Sequence, residues 1–107
     1  MDTIEALVAL NLISGVGPIR TRHLLDHFGG DPTAVLRASQ GELERVPGIS
    51  GSMASSIARW ESEVDLVGEL RRIQESGVTV LGFTEPEYPA LLKQIYDPPT
   101  VLYVKGK

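Results

Sequence analysis

Two stretches decide the fold: residues 10–24 read LNLISGVGPIRTRHL, and residues 43–57 read LERVPGISGSMASSI. The second stretch follows the first at an offset of 33 residues without a gap. The repeated positions are apolar or glycine: Leu10 with Leu43, Ile13 with Val46, Gly15 with Gly48, Val16 with Ile49 and Leu24 with Ile57. The repeat predicts two copies of one unit, in which a helix, a tight glycine turn and a second helix follow one another.

Each glycine turn is predicted to bring backbone N–H groups to the surface beside a helix N-terminus. Such a place attracts phosphate, because the exposed N–H groups and the helix dipole both favour an anion. Val16 lies between turn residues that face solvent, so we expect its side chain to fill the wedge between the two helices. The pattern resembles a tandem helix-hairpin-helix domain, and this resemblance implies contact with nucleic-acid phosphates without reading of bases.

The first turn holds the stronger candidates for binding DNA phosphate, which are Gly15, Val16, Gly17, Arg20 and Arg22. The second turn, Gly48-Ile49-Ser50, is a weaker candidate because residues 52–56 carry no positive charge. Glycine turns between packed helices also occur in scaffolds and docking modules. A protein-docking or regulatory helical module without DNA binding of its own is therefore the alternative interpretation.

Composition sets further bounds on the function. The 107 residues are 42% hydrophobic and carry a net charge of −4, which is typical of a globular domain and argues against strong nonspecific binding of nucleic acid by the whole chain. Residues 1–60 hold five arginines against six acids, whereas residues 61–107 hold five basic residues against eight acids. The absence of cysteine excludes disulfides, thiolate zinc sites and a cysteine nucleophile.

The sequence predicts a cytoplasmic protein with no membrane role. Its N-terminus lacks the basic and apolar pattern of a secretion signal, and no apolar run approaches the roughly 20 residues that span a bilayer.

Capping signals and helical periodicity predict short helices throughout the first three quarters of the chain. Pro18 and the pair Asp31-Pro32 mark helix starts, and Ser39 with Glu42 forms a capping-box pattern. Acidic residues follow near the start of a later helix and are predicted to stay solvated: Glu61, Glu63, Asp65 and Glu69. The expected helices cover residues 3–12, 18–28, 32–38, a segment after Ser39, residues 52–60 and residues 64–76. This indicates a mainly α fold, a compact bundle of short helices.

After Gly77 the sequence changes from helix-forming to strand-forming residues. Residues 78–83 and 101–104 are rich in strand-forming residues, and residues 88–96 between them read as a short helix. A strand, a helix and a strand are the opening of an α/β Rossmann-like domain. We therefore predict a helical domain over residues 1–76 and the truncated start of a Rossmann-like domain over residues 77–107, so that the chain reads as an N-terminal fragment.

The second part of the chain carries a more specific pattern: Tyr88-Pro89, Leu92, Ile95, Asp97-Pro98-Pro99, Leu102-Tyr103 and Gly106. It is similar to the entry into the Rossmann-like domain of the DNA-processing protein A family, also called Smf. The resemblance implies a role in natural transformation, or competence, and in DNA recombination. Its implied partners are single-stranded DNA, which is bound and protected, and the RecA recombinase. Because the principal DNA groove of that family lies in the Rossmann-like domain, the resemblance implies at most weak phosphate contact by this fragment. Docking of the helical domain to its own downstream domain belongs to the alternative interpretation as a docking module.

No enzymatic centre is predicted. His23 and His27 share a helix face, but a metal site would need a third ligand and the chain has no other histidine. No nucleophile elbow or dinucleotide-binding motif occurs in the required strand-to-helix context. The sequence thus assigns no catalytic residue, metal, cofactor or small-molecule substrate.

Overall fold

The computed structural model describes residues 2–83, 85–94, 99 and 101–105. In this part of the chain, helices form most of the structure and a small antiparallel sheet follows them, so the prediction of a mainly helical fold is confirmed. The helices are α1 (Thr3–Leu12), α2 (Gly17–His27), α3 (Pro32–Arg37), α4 (Gln40–Glu44), α5 (Gly51–Ala58), α6 (Trp60–Glu63) and α7 (Leu66–Ser76). The strands are β1 (Val78–Gly82) and β2 (Val101–Lys105).

The helix starts follow the capping signals in the sequence. Ser39 Oγ accepts a hydrogen bond from the N–H of Glu42 at 3.2 Å, and Glu42 Oε1 accepts one from the N–H of Ser39 at 2.9 Å. This is the predicted capping box, and it begins α4. Pro18 and Pro32 lie in the first turns of α2 and α3, where the missing N–H group removes no helical hydrogen bond.

The core lies among α1 to α5 and contains both copies of the repeat. The paired apolar positions are all buried: Leu10 and Leu43, Ile13 and Val46, Val16 and Ile49, and Leu24 and Ile57. Val16 is only 1% exposed and belongs to the core cluster, as its predicted place between the helices requires. Equivalent residues of the two stretches therefore contribute to one hydrophobic cluster.

Glu69 departs from the sequence-based expectation. The prediction that the acids near α7 stay solvated holds for Glu61, Glu63 and Asp65 but is wrong for Glu69, which is 8% exposed. The carboxylate pairs with Arg72 and accepts a hydrogen bond from the Tyr103 hydroxyl at 3.1 Å. The two partners offset the cost of burying the carboxylate, and the Tyr103 hydrogen bond connects α7 to β2.

Tyr103→Phe tests the hydrogen bond between β2 and α7. We expect the variant to lose about 1 kcal/mol of unfolding free energy at neutral pH, because Glu69 loses one of its donors. Partial burial raises the pKa of Tyr103 above 10.0, and the Arg72 charge opposes this. Stability from the neutral phenol is therefore complete below about pH 10 and falls as the pH rises through the folded-state pKa. Denaturant titrations at about pH 7, 9 and 11 should show a steeper alkaline loss in the wild type; parallel losses would contradict this assignment.

The two strands correct the expected Rossmann-like opening. β1 and β2 pair antiparallel, with Val78 opposite Lys105 and Gly82 opposite Val101. A strand, helix and strand crossover would instead place the strands parallel. The chain reverses directly after β1, where the Gly82 N–H donates to Glu85 Oε1 at 2.8 Å and the Glu85 N–H donates to the Gly82 carbonyl at 3.0 Å.

The segment between the strands contains a 3₁₀ helix at Leu92–Gln94 where the sequence predicted a helix over residues 88–96. Tyr88 is buried, and its hydroxyl donates to the Pro99 carbonyl at 2.7 Å, which draws the segment before β2 toward the turn after β1. Of the pattern over residues 88–106, Ile95, Asp97-Pro98 and Gly106 lie outside the described residues. The division into residues 1–76 and 77–107 stays a prediction.

Among the helices of the described residues, none combines the length and the apolar character needed to cross a membrane.

Candidate nucleic-acid interface

The first glycine turn connects α1 to α2. Gly15 has φ +87°, in the left-handed region that glycine adopts without strain, and the residue is exposed. Val16 precedes α2 with its side chain in the core, and its N–H lies 3.5 Å from the Ile13 carbonyl. No side chain caps the start of α2 among the described residues. The exposed turn thus presents a helix N-terminus that no side chain of the described part occupies.

The second glycine turn connects α4 to α5 and matches the first at its glycine, whereas its third residue differs, since Ser50 has φ −75° and Gly17 has φ +70°. Gly48 also has φ +87°, and the Ile49 N–H donates to the Val46 carbonyl at 3.2 Å. The following helix differs, because Ser50 Oγ accepts a hydrogen bond from the Met53 N–H at 3.2 Å. One donor at the start of α5 is therefore already used, which makes the second turn the poorer anion site.

The structure brings the two turns together. Arg20 lies on α2, and its Nε donates to the Gly48 carbonyl at 3.3 Å. A β-carbon built on Gly48 would lie 3.6 Å from His23 Nδ1, so α2 packs closely on the second turn. Between them is an open groove of about 400 Å³, which is lined by Val16, Gly17, Pro18, Ile19, Arg20, His23 and Gly48.

The charge around this groove differs from that of the whole chain. The protein carries a net charge of −4, but the residues that line the groove include no carboxylate and one exposed arginine. A separate depression, which shares no lining residue with the groove, is lined by acids, among them Glu63, Asp65 and Glu69. The lining of the groove itself therefore carries no negative charge, which permits an anion to approach it.

Arg22 does not join the groove. Its guanidinium carbon lies 5.6 Å from the centroid of the Phe83 ring, and the side chain is half-buried. Arg20 and Arg22 are two residues apart on one helix and so diverge by about 200° around its axis. Val16, Gly17 and Arg20 are thus brought together with Gly48, whereas Gly15 does not line the groove and Arg22 belongs to another surface.

His23 is a wall of the groove that was not among the predicted site residues. Gly17, Arg20 and His23 follow each other at intervals of three, and this spacing alone places them on one helix face. A shallow depression continues from the groove between His23, Asp26, His27 and Pro47. In the described part of the chain, no group of three or more His, Cys, Asp or Glu side chains is arranged to hold a metal ion.

Comparison with known proteins finds relatives that share one name. Over 45 residues the chain is 56% identical to UvrABC system protein C of Chromohalobacter salexigens, a match that covers 42% of this chain and 7% of that protein. The protein of the same name from Acinetobacter baylyi is 52% identical over 56 residues, which are 52% of this chain and 9% of the relative. That of Alcanivorax borkumensis is 45% identical over 51 residues, which are 48% of this chain and 8% of the relative.

The chain spans less than a tenth of the length of the curated relatives it matches. No family model matches it. No solved structure matches it either.

These relatives correct the family resemblance drawn from the sequence. Identity of about 50% over roughly half the chain is to proteins named UvrABC system protein C, so the assignment to the DNA-processing protein A family is wrong. The roles that this assignment implied, natural transformation and partnership with RecA, are wrong with it. The resemblance rested on a short pattern within residues 88–106, and a few turn and core residues of this kind do not determine the process that a protein serves.

Proposed function

We propose that the helical part of this chain is a tandem helix-hairpin-helix domain that binds the phosphate backbone of DNA without reading its bases. The observation that carries the proposal is the match between the two turns at Gly15 and Gly48, together with the hydrogen bond from Arg20 of α2 to the Gly48 carbonyl. Gly15 and Gly48 both have φ +87°, and the apolar residues that follow them, Val16 and Ile49, are both buried. Paired turns of this kind suit a ligand that offers several similar negative groups.

The groove supplies three contributions to phosphate binding. The start of α2 contributes partial positive charge from N–H groups that no side chain caps in the described residues. Arg20 uses Nε on the Gly48 carbonyl, which leaves its terminal nitrogens for an oxygen ligand. Glycine at position 17 keeps side-chain bulk away from the turn, so that a phosphate can approach the backbone.

The process proposed for this binding is DNA repair of the nucleotide-excision kind, which the relatives named UvrABC system protein C support. The proposed partners are DNA and another component of such a system. We propose a binding role rather than a catalytic one. The groove presents an arginine and backbone groups, and its lining does not combine a nucleophilic side chain with a general base. A docking module without DNA contact is not favoured by these relatives.

Arg20→Gln tests the site. We expect the wild type to bind a labelled duplex or single strand in the micromolar range or weaker, and the variant to bind about tenfold more weakly at about 50 mM salt. The plot of log affinity against log salt should become shallower by about one, because one phosphate contact is lost. Fluorescence anisotropy across a salt series measures both quantities.

Arg37→Gln is the matched control, because Arg37 is exposed on α3 and lies outside the groove. It removes the same charge and should leave the salt slope unchanged. Equal weakening by both variants would mean that only net charge matters, and equal affinity of Arg20→Gln and the wild type would remove Arg20 from the site.

A further inference from the structure

A second cationic surface lies where α2 meets the segment after β1. Arg22 of α2 and Lys93 of the 3₁₀ helix converge on Phe83, with the guanidinium carbon 5.6 Å and the ammonium nitrogen 5.5 Å from the ring centroid. Lys93 Nζ also lies 5.8 Å from the centroid of Tyr88. We call Arg22, Phe83, Tyr88 and Lys93 the cation-aromatic cluster. It joins two positive charges that are 71 residues apart in the chain.

We propose that the cation-aromatic cluster is a second phosphate-binding site, in which Arg22 and Lys93 hold one phosphate of the DNA that also occupies the groove. This inference rests on the proposed function. The contact would extend the DNA path around α2, since Arg20 and Arg22 point to different sides of that helix.

The charge balance of the cluster supports an anionic ligand. Within the described part of the chain, neither Arg22 nor Lys93 makes an ion pair; the pairs found there join Arg59 to Glu63 and Arg72 to Glu69. Two like charges at one ring repel each other, and the ring's negative face offsets this only in part. A phosphate bound by both groups would offset this repulsion. Lys93 is exposed and Arg22 half-buried, so both heads are within reach of solvent.

The aromatic rings of the cluster favour phosphate over a stacked base. Phe83 packs against Tyr88 with ring centroids 5.4 Å apart, and Tyr88 is 2% exposed. Both rings already meet cations, so they orient the positive groups rather than offer a free face to a nucleobase. A site of this kind contributes affinity that depends on salt and does not depend on sequence.

The double variant Arg22→Gln with Lys93→Gln tests the cluster. The probes are a fluorescein-labelled single strand of about 12 nucleotides and the matching duplex, titrated over about 25 to 200 mM salt. We expect the salt slope to become shallower by about two and the affinity at the lowest salt to fall at least tenfold. The charge-keeping variant Arg22→Lys with Lys93→Arg should retain the wild-type slope.

Arg37→Gln with Arg71→Gln is the control, because both arginines are exposed and the loss of charge is the same. The midpoint of thermal unfolding, measured for each variant, shows whether the cluster also contributes to the stability of the fold. A slope equal to that of the control, while Arg20→Gln still weakens binding, would overturn the cluster site alone. If the double variant weakened the binding of poly-glutamate but not that of DNA, the cluster would be a site for an acidic protein, and this would overturn it as a DNA site. A wild type that binds neither DNA probe would overturn both proposals.

Discussion

Leu24→Ala is expected to lower the free energy of unfolding by about 2 to 5 kcal/mol, because it removes a fully buried side chain and leaves a cavity. A native domain is stabilised by about 5 to 15 kcal/mol in total, so a large fraction of the Leu24→Ala variant should be unfolded at elevated temperature. Chemical denaturation followed by circular dichroism measures the loss.

Ile57→Ala changes the equivalent position of the second copy and should cost a similar amount, since Ile57 is also fully buried in the same cluster. Val67→Ala is the control: Val67 is 68% exposed, and its truncation should change stability by no more than about 0.5 kcal/mol. If Leu24→Ala behaved like Val67→Ala, the two repeats would not share one core.

Gly48→Ala is expected to lower the free energy of unfolding by about 1 to 3 kcal/mol, because φ +87° is a strained conformation for a residue with a β-carbon. Space is not the cause, since the added carbon would stand 3.6 Å from His23 Nδ1, an ordinary contact. Relaxation of the strained backbone should also move the carbonyl that accepts from Arg20. We therefore expect DNA affinity to fall together with stability, as measured by denaturation and anisotropy.

Gly41→Ala gives a control of opposite sign. Gly41 lies within α4, has no positive φ and has open space around its α-carbon. Alanine there should stabilise the protein by about 0.5 to 1 kcal/mol and leave DNA affinity unchanged. Equal effects of the two substitutions would show that the turn geometry at Gly48 is not required.

Local signals in the sequence predicted the helices well. The Ser39 and Glu42 capping box, the first-turn prolines and the burial of Val16 are each decided within a few residues. Such features follow from nearby steric and hydrogen-bonding requirements, so a single sequence is enough to find them.

Features that join distant residues could not be found in this way. The antiparallel pairing of β1 with β2, the Tyr103 partner of Glu69 and the Arg20 contact with Gly48 link positions far apart in the chain. Strand propensity is the same for parallel and antiparallel pairing, and a buried acid looks like a solvated one until its partner is known. The first turn and the weaker second turn at Gly48-Ile49-Ser50 were therefore predicted as separate candidates, and their meeting in one groove, with Gly48 beside Arg20 and His23, depended on the folded structure.

The hydrogen bond from Arg20 to Gly48 also affects how fast and how tightly the groove can capture a ligand. A free arginine side chain samples many rotamers, and ordering it costs roughly 2 kcal/mol. Here part of that ordering is completed when the protein folds, because Nε is already fixed and the planar head has few remaining orientations. The guanidinium is preorganised, and capture of an oxyanion loses correspondingly less entropy.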